Sequence, residues 1–230
     1  MLMTIKKFLR SHGYDIIKYH SFYDSYLKTL GIKTILDIGA NTGEFSKEMR
    51  ALFPDAEIYA FEPLKDCFNV MNTKMGQDLK FHPYNIALGE TNGESVIQRS
   101  SFHPSSSLRK MAQLHKELYP KTKDSFEEKI QIARLDDIVK DIPLKTPMFI
   151  KMDVQGFEDS VIKGGTETIK KASVLQVETS FVPLYENQPL FGDIHTQLQA
   201  LGFSYRGTSA IHRNPKTGEL LYQDSIFVRQ

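Results

Sequence analysis

Cysteine is nearly missing: Cys67 stands alone in 230 residues. A lone thiol excludes an intramolecular disulfide framework and any zinc site built on several cysteines, and it is expected to pack as a small hydrophobe. Long apolar runs are missing too. Nothing approaches the ~18–20 apolar residues that span a bilayer. At the N-terminus, MLMTIKKFLRSHGYD has no uninterrupted apolar stretch, because Lys6, Lys7 and Arg10 break it, so a secretory signal is not expected. These absences predict a cytoplasmic protein with no membrane span. Excess charge of one sign is absent as well. A net charge of +1 provides no field over the whole protein to draw in nucleic acid, and no nucleic-acid partner is expected. Internal repeats and low-complexity tracts are likewise not found.

What is present is ordinary globular material, 40% hydrophobic and 25% charged, in a length that suits one domain with a decorated edge. Residues 1–33 read as a helical segment. Ile16, Tyr19, Tyr23, Tyr26 and Leu30 recur at helical spacing, which suits either a cap on the next domain or a homodimer surface. From residue 34 to 230 the pattern is a second domain of alternating strands and helices. Strands are expected at Thr34–Ile38, Glu57–Phe61, Leu79–His82, Glu128–Ala133, Met148–Val154 and Val174–Glu178. Helical faces separate them: Phe45/Met49/Leu52, Leu64/Phe68/Met71/Met75, Phe157/Val161/Ile162/Ile169 and Phe191/Ile194/Leu198/Leu201. That rhythm implies an α/β fold with parallel pairing and crossover helices. Phe203–Tyr205 and Tyr222–Val228 are expected as an antiparallel pair at one sheet edge. The polar stretch 99–129 interrupts the order and is expected to be a lid or substrate loop, with a short helix at Leu108–Leu118.

In open parallel sheets, ligands bind beyond the carboxyl ends of strands near the point where strand order reverses. The first strand ends here in Asp37-Ile-Gly39-Ala-Asn41-Thr-Gly43. Gly39 and Gly43 permit a tight turn and the close approach of a ligand. The P-loop would need a Lys-Ser/Thr after its second glycine, where this chain has Glu44-Phe45. The dinucleotide fingerprint needs G-x-G-x-x-G, where this chain has G-x-x-x-G. Asp37 adds negative charge to the same corner, which disfavours an anion and favours a cationic ligand with amino and hydroxyl groups. Glu62, at the next strand's tip, is suited to accept hydrogen bonds from both hydroxyls of a ribose. Asn85 and Ile86 in NIALG can flank an adenine, and Asn41 and Ser106 join the set. S-adenosylmethionine fits that description. The blander alternatives are a helix cap for Asp37, a helix start for Glu62, a turn residue for Asn85 and a flexible linker for Ser105–Ser107.

The pieces LDIGANTGEFS, AFEP, NIALG, SSSL, ARLDDI and FIKMDVQGFEDSVIKGG together resemble the FkbM-type S-adenosylmethionine-dependent methyltransferases. The last piece is the most specific. The resemblance implies a Rossmann-like class I methyltransferase, with a mostly parallel seven-stranded sheet and helices on both faces. It further implies O-methylation of a hydroxyl on a sugar, glycan or natural product. Residues 1–33 and 185–230 fall outside the specific motifs.

Methyl transfer requires an aligned acceptor oxygen and a group that removes its proton. Period-two alternation puts Lys151 and Asp153 on one face of the central strand. Asp153 is the first candidate for base or acceptor orienter, Glu178 the second and His103 the third. Lys151 is expected to pair with Asp153 or Glu178. Two carboxylates on adjacent strand ends also suit a divalent cation, but no third ligand is evident and no metal is assigned. Two other readings compete: a nicotinamide-dependent oxidoreductase and a non-catalytic cofactor-binding protein on the same sheet.

Overall fold

Short apolar runs bounded by turn residues become strands when both faces can be covered. In the computed structural model Thr34–Ile38 is such a strand, β1, buried at every position. The structure describes residues 2–11, 26–100, 103–122 and 124–230. The chain divides into two compact units, Met1–Leu30 and Gly31–Gln230, a boundary slightly earlier than the expected one at Lys33/Thr34. The first unit holds helices α1 (Leu2–Ser11) and α2 (Lys28–Leu30). Ile16, Tyr19 and Tyr23 of the expected aromatic stripe lie outside the described residues.

The second unit begins with β1 and continues through α3 (Glu44–Leu52), β2 (Glu57–Phe61), α4 (Lys65–Met75) and β3 (Phe81–Tyr84). After a second, smaller sheet come α6 (Leu135–Ile138), β7 (Met148–Met152), α7 (Glu158–Gly164), α8 (Thr166–Ile169) and β8 (Val174–Ser180). The chain closes with α9 (Phe191–Ala200), β9 (Phe203–Arg213) and β10 (Leu220–Arg229). The main sheet has seven strands in the order β3-β2-β1-β7-β8-β10-β9. Its first five are mutually parallel, and β10 runs antiparallel to both β8 and β9. This is the class I methyltransferase architecture that the motifs implied, with the order reversing between β1 and β7. Leu36, Ile38, Ile150, Met152, Leu175, Val177 and Phe227 form the heart of the core. Each such side chain contributes roughly 1.5–3 kcal/mol by leaving water.

Two local expectations shift. The third strand starts at Phe81, not Leu79. Leu79 is 94% exposed, in a turn closed by Phe81 N–H donating to Asp78 O at 3.0 Å. The helix expected across Phe157–Ile169 is two short ones, broken at Gly165. There the backbone packs against the NIALG turn so closely that a Cβ on Gly164 would lie 1.7 Å from Gly89 O.

The largest difference is the second sheet, of order β4-β6-β5. It comprises β4 (Ala87–Leu88), β5 (Gly93–Ser100) and β6 (Ser125–Ala133), with β5 and β6 antiparallel from Gly93↔Ile132 to Ser100↔Ser125. The stretch expected as loop over 99–129 is therefore strand at both ends. Between them lie a 3-10 turn (His103–Ser105), α5 (Gln113–Leu118) and a second 3-10 turn (Pro120–Thr122). Among the described residues no helix is long and apolar enough to cross a membrane.

Candidate active site

At the carboxyl ends of β1, β2, β7 and β8 lies a cleft of about 540 Å³. One end is lined by Gly39–Thr42, Glu62–Leu64 and Ile86–Leu88, the other by Lys151, Asp153, Gln155, Glu178, Tyr222 and Asp224. Pro104–Leu108, His115, Tyr119 and Thr122 complete the lining from the segment between β5 and β6.

At the first end the chain leaves β1 through Gly39, whose φ is +79° and on which a Cβ would fall 1.9 Å from Asp153 O. Only glycine combines that φ with that proximity. Gly39 and Ala40 N–H both donate to Phe61 O at 3.0 Å, joining the tips of β1 and β2. Asn41, at φ 48°, lines the cleft and turns its N–H to Glu62 Oε2 at 2.8 Å. Glu62 Oε1 accepts Leu64 N–H at 2.8 Å. The carboxylate is 5% exposed, and burial pushes its pKa to about 7 against these two hydrogen bonds. Each oxygen keeps a lone pair for a ligand in the cleft. Ile86 and Ser106 also line the cleft, and Ser106 Oγ accepts Ser100 N–H at 3.1 Å.

Three expected contacts work differently. Asp37 is fully buried and does not line the cleft. Its Oδ2 accepts from Ser46 Oγ at 2.7 Å, and its Oδ1 faces Lys151 Nζ at 3.7 Å. Burial raises its pKa, with Lys151 and Ser46 opposing. Asp37 thus stands behind Lys151, which does line the cleft. Asn85 is spent on the protein itself, donating to Glu62 O and Pro63 O at 2.9 Å each, and so fixes the β2 tip. Gly43 also does not line the cleft. At φ +84° it starts α3 directly against Met71, where a Cβ would be 2.8 Å from Cγ.

At the other end Lys151 Nζ sits 3.3 Å from Asp153 Oδ2 and donates to Gly39 O at 3.2 Å. Burial works against its charge, but Asp153 and Asp37 outweigh burial and raise its pKa. The Gln155 amide bridges the two candidate carboxylates, with Nε2 2.8 Å from Asp153 Oδ1 and 3.1 Å from Glu178 Oε1. Its Oε1 accepts Tyr185 OH at 2.7 Å, and its backbone holds a left-handed φ of 55°. Ser107 Oγ donates to Gln155 O at 2.6 Å. Glu178 is pushed well above the ordinary carboxylate range by burial and by the nearby Asp153. Glu158, 2% exposed, accepts Val154 and Gly156 N–H at 3.0 and 3.2 Å and locks the turn after β7.

His103 sits in the backbone of the 3-10 turn, and its side chain lies outside the described residues. The histidine described in the cleft lining beside Tyr185 is His115, 4% exposed, whose ring is 5.1 Å from the Tyr185 ring. Among the described residues no three His, Cys, Asp or Glu side chains gather in a way that could hold a metal ion. Sequence reasoning missed Gln155, Tyr185, His115 and Asp224. Gln155 alone had a signal, inside the KMDVQGFE motif.

Residues 37–205 match the methyltransferase FkbM domain family. The 2-O-methyltransferase NoeI of Sinorhizobium fredii is 31% identical over 165 residues, which cover 67% of this chain. The match spans just under two thirds, 66%, of NoeI's own length. Methyltransferase 1 of Beauveria bassiana is 23% identical over 186 residues, 74% of this chain and 72% of that protein. Among solved structures, Aeropyrum pernix fibrillarin in complex with natively bound S-adenosyl-L-methionine is similar at 10% identity, with a TM-score of 0.47 and coverage of 86% of this chain and 67% of that one.

Proposed function

Because the chain belongs to the methyltransferase FkbM domain family, we propose that its cleft binds S-adenosylmethionine and that the enzyme methylates a hydroxyl oxygen of a sugar, glycan or other small molecule. The observation that carries this reading is Glu62. It is a buried carboxylate at the tip of β2, with both oxygens anchored by backbone N–H groups and a face toward the cleft. A rigid double acceptor of that kind suits the adjacent hydroxyls of a ribose. Gly39 lines the same end of the cleft, and its missing Cβ lets the tip of β1 close against the Asp153 carbonyl beside it. Ile86 and Leu88 offer apolar surface to an adenine.

The bound cofactor would supply an electrophilic methyl group on sulfur. The chain's own residues do the rest. Asp153 would accept the hydrogen bond of the acceptor hydroxyl and take its proton at a carboxylate oxygen. Lys151 and Gln155 hold Asp153 in place, from Oδ2 and Oδ1 respectively. Glu178, tied to the same amide, orients the acceptor from β8. Segment 103–122 acts as the lid, keeping water from the reacting atoms through Ser105–Leu108, His115 and Tyr119.

The nicotinamide alternative is not favoured: the family match opposes it, as does the G-x-x-x-G spacing at Gly39 and Gly43. Titration calorimetry with S-adenosylhomocysteine and with NADH separates the two readings. Heat with the first and none with the second is the expected result. The reverse overturns the assignment.

A further inference from the structure

The cleft extends past the family-matched segment. Residues 37–205 contain the cofactor end and the pair Asp153/Glu178. The far wall belongs to the β9–β10 hairpin, through His212, Tyr222 and Asp224. In the antiparallel register Asp224 stands directly opposite Glu178, and Tyr222 directly opposite His212. Tyr222 and Asp224, two residues apart, share one face of β10. The Tyr222 and His212 rings stack with centroids 4.3 Å apart and planes 9° from parallel.

Facing carboxylates on neighbouring strands repel. Burial and then Asp153 push both Glu178 and Asp224 upward, and Asp224 adds to the shift of Glu178. Hydroxyl donors placed between them would relieve the repulsion. Positive charge is scarce: among the described residues Lys151 is the lysine of the cleft lining, no arginine joins it, and it already faces Asp37 and Asp153. His115 adds none, because burial lowers its pKa to about 4. Its tautomer follows from its neighbours. Thr122 Oγ1 donates its hydrogen to Tyr119 O at 2.8 Å, so it accepts from His115 Nε2 at 3.1 Å. The proton is therefore on Nε2, and Nδ1 is a buried acceptor with no partner among the described residues.

We propose that the β9–β10 hairpin selects the acceptor, with Tyr222 stacking on one face of an uncharged polyhydroxylated ring while Asp224 and Glu178 accept its hydroxyls. This inference rests on the methyltransferase reading above. An anionic group would meet Asp153, Glu178 and Asp224, against one lysine that already faces Asp37 and Asp153. A cationic acceptor would stand beside the cofactor's own sulfonium charge, and like charges at a few ångströms repel.

The test is saturation-transfer NMR on the full chain saturated with an S-adenosylmethionine analogue that carries a protonated amine in place of the sulfonium, so that the cofactor's positive charge is present and no methyl group can be transferred. The probes are methyl glycosides of glucose, galactose and mannose, with the corresponding 6-phosphates and 2-amino analogues. Binding of one or more neutral glycosides is expected, with the phosphate and amino forms at least tenfold weaker. Asp224→Asn and Tyr222→Ala are each expected to weaken the neutral ligand about tenfold or more, in line with the loss of one charged hydrogen bond or one stacked ring. Tyr222→Phe should retain binding, and all three variants should hold S-adenosylhomocysteine within about twofold of the parent, which also reports that they fold. Phosphates or amines that bind as well as the neutral forms overturn the inference. So do variants that bind neutral glycosides like the parent, or a cofactor-bound protein that binds no glycoside. Failure to bind S-adenosylhomocysteine would instead sink the methyltransferase reading itself.

Discussion

Glu62 Oε2 accepts the N–H of Asn41 at 2.8 Å, so the tips of β2 and β1 meet at a carboxylate that is 5% exposed. Two consequences follow from its position, one for stability and one for binding. Burial raises Glu62 from 4.5 to about 7. A folded-state pKa above the unfolded one means that the folded state holds the proton more tightly. The resulting stability is full below pH 4.5 and is lost as pH rises through about 7. Ribose hydroxyls, being donors, select the ionised carboxylate. The affinity for S-adenosylhomocysteine is therefore expected to rise ~tenfold between pH 6 and 8, and Glu62→Gln should flatten that profile. Calorimetry at three pH values checks it, and a parent profile as flat as the variant's would remove Glu62 from the cofactor site.

Asp153→Asn keeps the shape of the side chain and removes the proton acceptor. Turnover is expected to fall by ~10²–10⁴-fold on any acceptor the parent methylates, with cofactor affinity nearly unchanged. Steady-state kinetics paired with calorimetry decides this. Normal turnover would make Asp153 a structural partner of Lys151.

Gln155→Leu is nearly isosteric but leaves Asp153, Glu178 and Tyr185 without the amide that joins them. An N–H donated to a carboxylate favours the ionised form. Its removal is expected to lower kcat more than it changes cofactor binding, read by steady-state kinetics and calorimetry. An unchanged kcat would mean that the bridge does not position the two carboxylates.

Gly39→Ala would place a Cβ 1.9 Å from Asp153 O on a residue at φ +79°. Strain of this kind costs on the order of 1–3 kcal/mol or more, roughly a 2–12 °C fall in Tm for a chain of this size. Differential scanning calorimetry reads it directly. An unchanged Tm would show that the turn has room.

The parallel half of the sheet was legible because β1, β7 and β8 are buried on both faces and therefore read as short, mostly apolar runs. Glu62 and Asp153 were legible because they stand at or just beyond strand tips. Asp37 was found for the same reason, yet its depth was not: whether a tip carboxylate lines a cleft or lies behind a lysine depends on Lys151 across the β1–β7 pair. The second sheet escaped because β5 and the start of β6 are polar and largely exposed, with little alternation to mark them. Asp224 escaped because its neighbour Glu178 is distant in sequence and adjacent only through the β8–β10 register. His115 and Tyr185 meet by tertiary packing alone, which leaves no periodic trace.

The central claim, that Glu62 grips the ribose of an S-adenosyl cofactor, is tested most directly by a crystal structure of the protein with S-adenosylhomocysteine. The expected structure has both ribose hydroxyls at hydrogen-bond distance, ~2.6–3.2 Å, from the Glu62 carboxylate, with the adenine beside Ile86 and the sulfur toward Asp153. A ligand seated elsewhere, or a ribose turned away from Glu62, would contradict the account.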